Sequence, residues 1–570
     1  MILTLAVIIV KVVGALYKIP TFGLIGEDGV GYYNTAYNLY LTIYSLAVTG
    51  FPVAVSKIVS SYAAEGRYRD VRKVVNVSRW AFGILGVVAT AALMLLAGPY
   101  TDSIKNPGAY YSVLMVAPSL IFSCLMSVYR GYNQGMKNML PTAISQVIEV
   151  IFKAGVGFSL AYLAKKYLSA EYDASGTMLG VAIDKSAADT QLAALCAAAV
   201  IIGVSISTFA GWAYLLLRSG VKGDGITRAQ LRRSPAPHSS GYILKQIGIF
   251  VLPIALSSVM TNITGLIDNA SILNRLESVV NTDIEALYAS HGGWLEQAEK
   301  SLEALPNYLY GVYGTVLPVF NLVPSLTGSF GMSALPHVAA AWKAEDKDGV
   351  RLGMQSTLRL TSLIAAPAGF GIACLAGPIA RLLYGNTMPI GSQIAGPVLA
   401  VLGIAAIFVA LASPINALLQ AVGRIDVPVK LMVAGGLIKL AANYLLVAVP
   451  SLNIKAAPVG NLLCYLFICG VSLVILKKVT KVSLNIKSVL LKPLLAGAAC
   501  GVSARLAFVL LTRALPSVNE KLMTVAAICV GALVYLIALG ITHSLDRADV
   551  RSLPGGRKIE KLLEKVHLLG

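Results

Sequence analysis

Charge is what this sequence has least of. Asp, Glu, Lys and Arg together make up 13% of its 570 residues, about half the share usual in a soluble domain, while hydrophobic residues make up 56%. A chain with so little to present to water is excluded as a soluble globular domain. Acidic residues are the scarcer sign: 27 Asp and Glu against 46 Lys and Arg leave a net charge of +19. Histidine is rarer still. His238, His291, His337, His543 and His567 are scattered without an HExxH or other metal-ligand spacing, so no metal site is expected. The seven cysteines (Cys124, Cys196, Cys374, Cys464, Cys469, Cys500 and Cys529) all fall in apolar runs with no CxxC. That excludes a disulfide framework and leaves them as small packing residues. The glycines of GEDGVG (Gly26–Gly31) have no lysine at phosphate-loop spacing and no following strand, so this stretch reads as a turn. With no nucleotide-binding domain, ATP is not the direct energy source, and no cofactor is expected.

What the sequence has instead is apolar runs, about 14 of them, each of about 20 residues and long enough to cross a hydrocarbon core of ~30 Å. They predict an all-α polytopic membrane protein. Their cores are Ile2–Phe22, Tyr33–Val59, Ala81–Leu96, Val113–Tyr129, Ile144–Leu163, Leu192–Leu217, Ile247–Ile272, Val312–Ala341, Thr357–Leu375, Ile394–Leu418, Val429–Val449, Gly460–Leu476, Leu490–Leu511 and Val525–Ile541. Basic residues gather in alternate connections: Lys57 to Arg79 after the second span, Arg218 to Lys245 after the sixth, Lys477 to Lys487 after the twelfth, and Arg547 to Lys565 in the tail. The connections between carry acid instead, Glu27 and Asp28 after the first span and Glu277 to Glu303 after the seventh. By the positive-inside rule both termini are cytoplasmic, and the positive charge reports orientation, with no nucleic-acid partner. The chain opens with almost no polar residue ahead of its first span, which leaves a short preceding cytoplasmic segment as an expectation.

The sequence also repeats itself. SKIVSSYAAEGRYRD (Ser56–Asp70) and PHVAAAWKAEDKDGV (Pro336–Val350) each run from small residues through an aromatic and Ala-Glu into mixed charge. NQGMKNMLPTAISQVIEVIFK (Asn133–Lys153) and LQAVGRIDVPVKLMVAGGLIK (Leu419–Lys439) each hold a glutamine, a short basic loop, a helix-starting proline and a lysine 11 or 12 residues later. The repeated spans are six apart, an even number, so the halves share one orientation. Two pseudo-symmetric six-helix lobes follow, with two extra C-terminal helices and a substrate site expected between the lobes. The expected divisions are residues 1–220 for the first lobe, 221–245 for a cytoplasmic linker, 246–478 for the second lobe, 488–543 for the last two spans and 544–570 for a cytoplasmic tail. In the tail, Ile559, Leu562, Leu563 and Val566 have the spacing of a basic amphipathic helix.

Three stretches carry a family resemblance: KVVGALYKIPTFGLIGEDGVGYYNTAYNLY (Lys11–Tyr40), GFPVAVSKIVSSYAAEG (Gly50–Gly66) and GMKNMLPTAISQVIEVIFKAG (Gly135–Gly155). In order and spacing they resemble the polysaccharide-transporter branch of the MOP exporter superfamily, of the SpoVB/YtgP, MurJ-like type. The resemblance implies a flippase of the bacterial cytoplasmic membrane. Its substrate would be an undecaprenyl-linked saccharide, a lipid II-like cell-wall precursor or another lipid-linked oligosaccharide. Alternating access would be driven by membrane potential or by coupling to Na⁺ or H⁺, with the protein acting as a monomer among membrane lipids. It implies a basic cavity for diphosphate and sugar, and a groove at the last two helices for the lipid tail. Lys11-Val12-Val13-Gly14 matches the group's span-one motif; Lys18 follows Gly14 by four residues where some relatives have a basic residue after three. The arginine those relatives carry in span eight has no counterpart, since no Lys or Arg lies between Tyr308 and Val338.

The residues themselves give candidates of the same kind. Lys11 and Lys18 are two helical turns apart, nearly on one face, and a lysine at the bilayer centre costs roughly 2.5–3.5 kcal/mol, so something other than lipid faces them. Set beside a diphosphate they act as point charges; beside lipid they snorkel. Gln146, Glu149 and Lys153 share a helix face, with Glu149 and Lys153 spaced as an ion pair, and line a cavity or hold the lobe together. Lys439 is the repeat counterpart of Lys153. Thr261, Thr264 and Asp268 make an oxygen-rich face suited to an ion. Tyr32, Tyr33, Tyr37, Tyr40 and Tyr44 offer rings that could stack on a sugar, though an interfacial belt explains Tyr32 and Tyr33 more cheaply. Gly50 and Pro52 mark a bend and a candidate hinge. A multidrug or cation antiporter of the same superfamily is the alternative within transport, but it favours an acidic cavity. A membrane glycan polymerase or ligase is the enzymatic alternative, and the one long acidic outer loop, Asn274–Leu305, argues against it.

Overall fold

A left-handed glycine and a helix-starting proline shape the first hairpin of the computed structural model, which describes Val10, Val13, Gly14 and residues 16–542 apart from Ile425. Helix α1 (Lys18–Ala47) is kinked at Gly26, whose φ of 72° and ψ of 177° lie outside the helical region. Only glycine takes that conformation cheaply. GEDGVG is therefore not the turn its composition suggests: Gly26 alone makes the break, and Glu27 and Asp28 open the next helical turn, where acid suits the helix dipole. The chain then breaks over residues 48–50 before α2 (Phe51–Ala64), with Pro52 in its first turn. A Cβ on Gly50 would lie 3.0 Å from the Val251 carbonyl oxygen, so a close helix approach fixes glycine there.

The remaining helices are α3 (Tyr68–Ser103), α4 (Tyr110–Val116), α5 (Ser119–Gly135), α6 (Leu140–Ser175), α7 (Lys185–Lys222), α8 (Arg228–Arg233), α9 (Ser240–Thr282), α10 (Ile284–Ser290), α11 (Trp294–Gln297), α12 (Leu305–Lys343), α13 (Lys347–Cys374), α14 (Ala376–Tyr384), α15 (Pro389–Ala421), α16 (Asp426–Leu446), α17 (Ala457–Thr480), α18 (Lys492–Ala514) and α19 (Glu520–Thr542). A two-stranded antiparallel hairpin, β1 (Thr177–Met178) and β2 (Val181–Ala182), joins α6 to α7. Among the described residues 12 helical stretches are long and apolar enough to cross a membrane. They coincide in order with twelve of the expected spans. Helix α9, at 43 residues, covers the seventh, and most of the first (Ile2–Phe22) lies outside the described residues, as does the amphipathic tail. The all-α polytopic reading stands. The repeat is visible as well: both Ser56–Asp70 and Pro336–Val350 are a helix end, a short turn with one residue at positive φ (Gly66 at 72°, Glu345 at 55°) and a helix start.

The chain forms two compact units. One holds residues 1–277 and 300–314, the other residues 278–299 and 315–570. Division by contact thus differs from division by repeat: most of α9, the first span of the second repeat, is grouped with the first unit.

In the first unit, α1 and the start of α12 approach so closely that a side chain on Gly311 would collide with the Glu27 carbonyl, and one on Gly31 with Asn307. The linker of residues 223–239 is fastened along the α2–α3 turn. Buried Asp70 accepts hydrogen bonds from the His238 backbone N–H (2.7 Å) and Arg67 Nε (2.9 Å), and Arg67 Nη2 donates to the Ala236 carbonyl (3.2 Å). Arg69 Nε donates to Leu231 O (2.9 Å), and Arg72 is paired with Asp224. The His238 ring stacks between Tyr62 and Tyr242, at 5.6 and 4.8 Å. Burial raises the Asp224 carboxyl, but the hydrogen bond from Arg72 outweighs it and holds the group below the ordinary carboxylate range.

In the second unit, α18 and α19 pack on α13. Leu363, Ala496, Cys500, Tyr535 and Leu539 form a buried cluster, and the Tyr535 hydroxyl donates to the Leu363 carbonyl at 2.6 Å. Arg381 and Glu520 tie α14 to α19 at 2.7 Å.

Candidate functional site

Four tyrosines repeat along α1 at helical spacing and make a ladder. The rings of Tyr33 and Tyr37 stack at 5.3 Å, Tyr37 and Tyr40 lie 5.7 Å apart, and Tyr40 and Tyr44 lie 5.6 Å apart. Phe22 meets Tyr33 edge-on at 5.4 Å. Tyr32 and Tyr33 are not an interfacial belt: they are 3% and 0% exposed. Tyr32 packs against Gly108, and Tyr33 is enclosed by its ring neighbours. Ring-on-ring packing outweighs the gain from the headgroup region.

Two ammonium groups meet this ladder. Lys18 Nζ lies 5.9, 5.8 and 5.4 Å from the ring centres of Phe22, Tyr33 and Tyr37. Lys153 Nζ, from α6, donates to the Tyr37 hydroxyl at 3.1 Å and lies 4.7 Å from that ring's centre and 5.9 Å from that of Tyr17. Cation–π contacts of this kind are worth about 0.5–2 kcal/mol each. Neither ammonium has a carboxylate within ion-pair distance among the described residues. The hydroxyls of Tyr17 and Tyr33, both buried, make no hydrogen bond of ordinary geometry among those residues, though they lie against each other. The cluster therefore holds two positive charges beside two phenol hydroxyls. Lys11 lies outside the described residues.

The helix-local pair of Glu149 with Lys153 does not form. Glu149 Oε2 instead accepts from Arg130 Nη2 at 2.7 Å, and Arg130 Nε donates to Ser145 Oγ at 3.0 Å. The guanidinium offers a fixed, planar set of donors to the carboxylate, whereas Lys153 turns to the phenol of Tyr37. Arg130 follows directly on the expected fourth span, and because α5 continues to Gly135 it stays inside the helix. Gln146 lies one turn before Glu149, and its Oε1 is buried without a hydrogen-bond partner among the described residues.

A second polar group surrounds α9. Asp268 is 7% exposed and accepts from the Tyr313 hydroxyl at 3.3 Å, and Thr264 is buried one turn earlier. The side chain of Thr261 lies outside the described residues. Asn269 Nδ2 donates to the Tyr100 hydroxyl (2.8 Å), while Tyr310 donates to Asn269 Oδ1. Nearby, Asp28 accepts from Lys300 Nζ at 2.6 Å. Burial works against the Lys300 ammonium, but Asp28 outweighs it and holds its pKa above the ordinary value. Lys439, in the second unit, is 2% exposed, packed where a side chain on Gly460 would crowd its Cγ at 3.3 Å. Arg359 on α13 is likewise buried, an intramembrane charge that sequence reading passed over.

Comparison with known proteins agrees with this architecture. Residues 1–183 match the family model described as Polysaccharide biosynthesis protein, and residues 322–523 match that of Lipid II flippase MurJ. The chain is 23% identical over 460 residues to Lipid II flippase MurJ of Bacillus subtilis, covering 78% of this chain and 76% of that one. It is 22% identical over 556 residues to Stage V sporulation protein B of the same organism, covering 97% and 96%. A solved structure, lipid II flippase MurJ in an inward closed conformation, shares the fold with a TM-score of 0.62 at 13% identity, covering 95% of this chain and 98% of that one. With twelve described spans, a first third similar to the polysaccharide biosynthesis family and residues 322–523 similar to lipid II flippase MurJ, the chain is similar to the polysaccharide-transporter branch of the MOP exporter superfamily.

Proposed function

We propose that the protein is a flippase that carries an undecaprenyl-linked diphosphate saccharide, of the lipid II kind, across the bacterial cytoplasmic membrane by alternating access. The observation that carries this reading is the cluster of Lys18 and Lys153 over the Tyr37 ring, with no carboxylate beside either lysine among the described residues. An intramembrane cation without a counter-ion is expensive, and a diphosphate is the counter-ion that a lipid-linked saccharide brings. Lys11 and Lys439 are further contributors, with Gly50 and Pro52 as a hinge. A cationic drug meets the wrong sign here, so the antiporter alternative is disfavoured. The lipid tail lies in an apolar cavity of about 560 Å³ in the second unit, lined by Leu322, Leu326, Pro367, Ile372, Tyr535 and Leu536 among others. Asp268, with Thr264 and the Tyr313 hydroxyl, supplies oxygen donors for a coupling Na⁺ or a carboxylate for a proton. Both termini are cytoplasmic, and the monomer is the working unit.

The test is complementation of a bacterial strain depleted of its lipid II flippase, with lipid II reaching the outer leaflet as the readout. Wild type restores growth and outer-leaflet lipid II. Lys153→Glu and Lys18→Glu insert normally and restore neither. Full activity of both variants removes the diphosphate site, and raised resistance to cationic drugs without lipid II transport favours the antiporter.

A further inference from the structure

The Arg130–Glu149 pair is more than a strut between α5 and α6. Its two groups keep polar atoms in reserve: Glu149 Oε1 and Arg130 Nη1 make no hydrogen bond among the described residues, and neither is enclosed. Gln146 Oε1, one turn away on α6, is enclosed and has no hydrogen-bond partner among the described residues. Opposite them runs the far end of the tyrosine ladder. Tyr37 is tied to Lys153 by the 3.1 Å hydrogen bond, and Tyr40 and Tyr44 continue the ladder from it with ring spacings of 5.7 and 5.6 Å. Tyr44 is half-buried.

The order of residues matters. Along α6 the sequence runs Gln146, Glu149, Lys153; along α1 it runs Tyr44, Tyr40, Tyr37 in the opposite sense, and Lys153 meets Tyr37. From Lys153 back to Gln146 is two helical turns, about 10 Å. A diphosphate held at the lysines would place the next group of its ligand at Gln146, Glu149, Arg130 and Tyr44. That set combines an aromatic face with an amide, a carboxylate and a guanidinium. Such a combination suits a pyranose ring, whose C–H face packs on an aromatic and whose hydroxyls both donate and accept.

We propose that Tyr44, Gln146 and the Arg130–Glu149 pair form a saccharide subsite, which takes the first sugar attached to the diphosphate. The proposal rests on the reading of Lys18 and Lys153 as the diphosphate site. It assigns sugar recognition to the first unit and makes Tyr44 and Gln146 the residues that separate a glycosylated prenyl diphosphate from a bare one.

Equilibrium binding to the purified full chain, with farnesyl diphosphate and with farnesyl diphosphate carrying an amino-sugar disaccharide, tests both levels. Wild type binds the glycosylated probe about tenfold more tightly, the increment one stacked ring with its hydrogen bonds supplies. Tyr44→Leu and Gln146→Leu each remove most of that preference and leave the bare probe unaffected, which also serves as the folding control. Tyr44→Phe retains it. Equal affinity of wild type for both probes, or an unchanged preference in both leucine variants, overturns the subsite. Loss of both probes together in both variants overturns it too, because the effect is then not on the sugar. If Lys153→Met leaves bare-probe binding intact while the glycosylated preference still depends on Tyr44, the diphosphate reading falls and the sugar subsite survives.

Discussion

Lys153 Nζ donates to the Tyr37 hydroxyl at 3.1 Å, while Glu149, one turn earlier on the same helix, pairs with Arg130. One helix thus sends neighbouring charges in two directions, and the lysine is left with a phenol in place of a carboxylate. The arrangement leaves the ammonium without a carboxylate partner among the described residues, a place that a tight internal ion pair would have filled.

Removing the phenol while keeping the ring isolates that contact. Tyr37→Phe is expected to destabilise the detergent-solubilised protein by about 1–2 kcal/mol, the worth of a hydrogen bond to a charged group that is half-buried. In a Lys153→Met background the same change costs much less. Thermal unfolding of the two single variants and the double variant measures the coupling.

The Arg130–Glu149 pair behaves differently. Its side chains are 12% and 28% exposed. Arg130→Met leaves a carboxylate in a poorly solvated place, and a loss of about 2 kcal/mol is expected, below the 3–5 kcal/mol of a fully buried pair. Arg130→Met with Glu149→Leu recovers most of it. If unfolding midpoints show the double variant as damaged as the single, the pair is not the source of the effect.

His291, in the outer segment between α10 and α11, gives a pH dependence. Burial pushes its imidazole down to about 4, with the Lys455 ammonium acting in the same direction and the Leu287 carbonyl against it. A histidine that is neutral when packed and protonated when released contributes stability that is complete above about 6.5 and drains away as pH falls toward 4. The amount is about 3 kcal/mol at most. The protection factor of amides across residues 284–299, the intrinsic exchange rate at each pH divided by the observed one, is expected to fall over that window, and His291→Leu removes the slope. A protection factor independent of pH in the native protein contradicts the assignment.

Two glycines set the contact of α1 with α12. Gly311→Val drives a side chain into the Glu27 carbonyl, and Gly31→Val drives one into Asn307. Backbone cannot yield as a side chain tip does, so each costs about 3 kcal/mol or more. Gly371, with open space around it on α13, tolerates alanine. Comparing folded yield and melting temperature of the three variants checks the contrast.

The spans were legible because each carries its own signal: an apolar run of fixed length needs no partner to be recognised. Asp268 and Lys153 stood out for the same reason, as charges inside such runs. The partner of each charge was not legible. Glu149 and Lys153 have ideal helical spacing, yet Arg130, distant in sequence by one hairpin, has the better geometry for the carboxylate. Tyr32 and Tyr33 sit where a belt would, and only the neighbouring Gly108, Phe22 and Tyr37 show that they point inward. Gly26 reads as part of a loop until its single left-handed residue is seen to replace the loop altogether. Tertiary choice among several suitable partners is what a single sequence withholds.

The strapped linker of residues 223–239 carries a lesson for anyone wishing to label or split this protein. A free tether tolerates added length at little entropic cost. This one is fastened at Asp224, Leu231, Ala236 and His238, so a fluorophore or protease tag placed there must tear several bonds at once. The tip of the short hairpin, where Leu179 and Gly180 both adopt positive φ and stand in the open, is the gentler place for a handle.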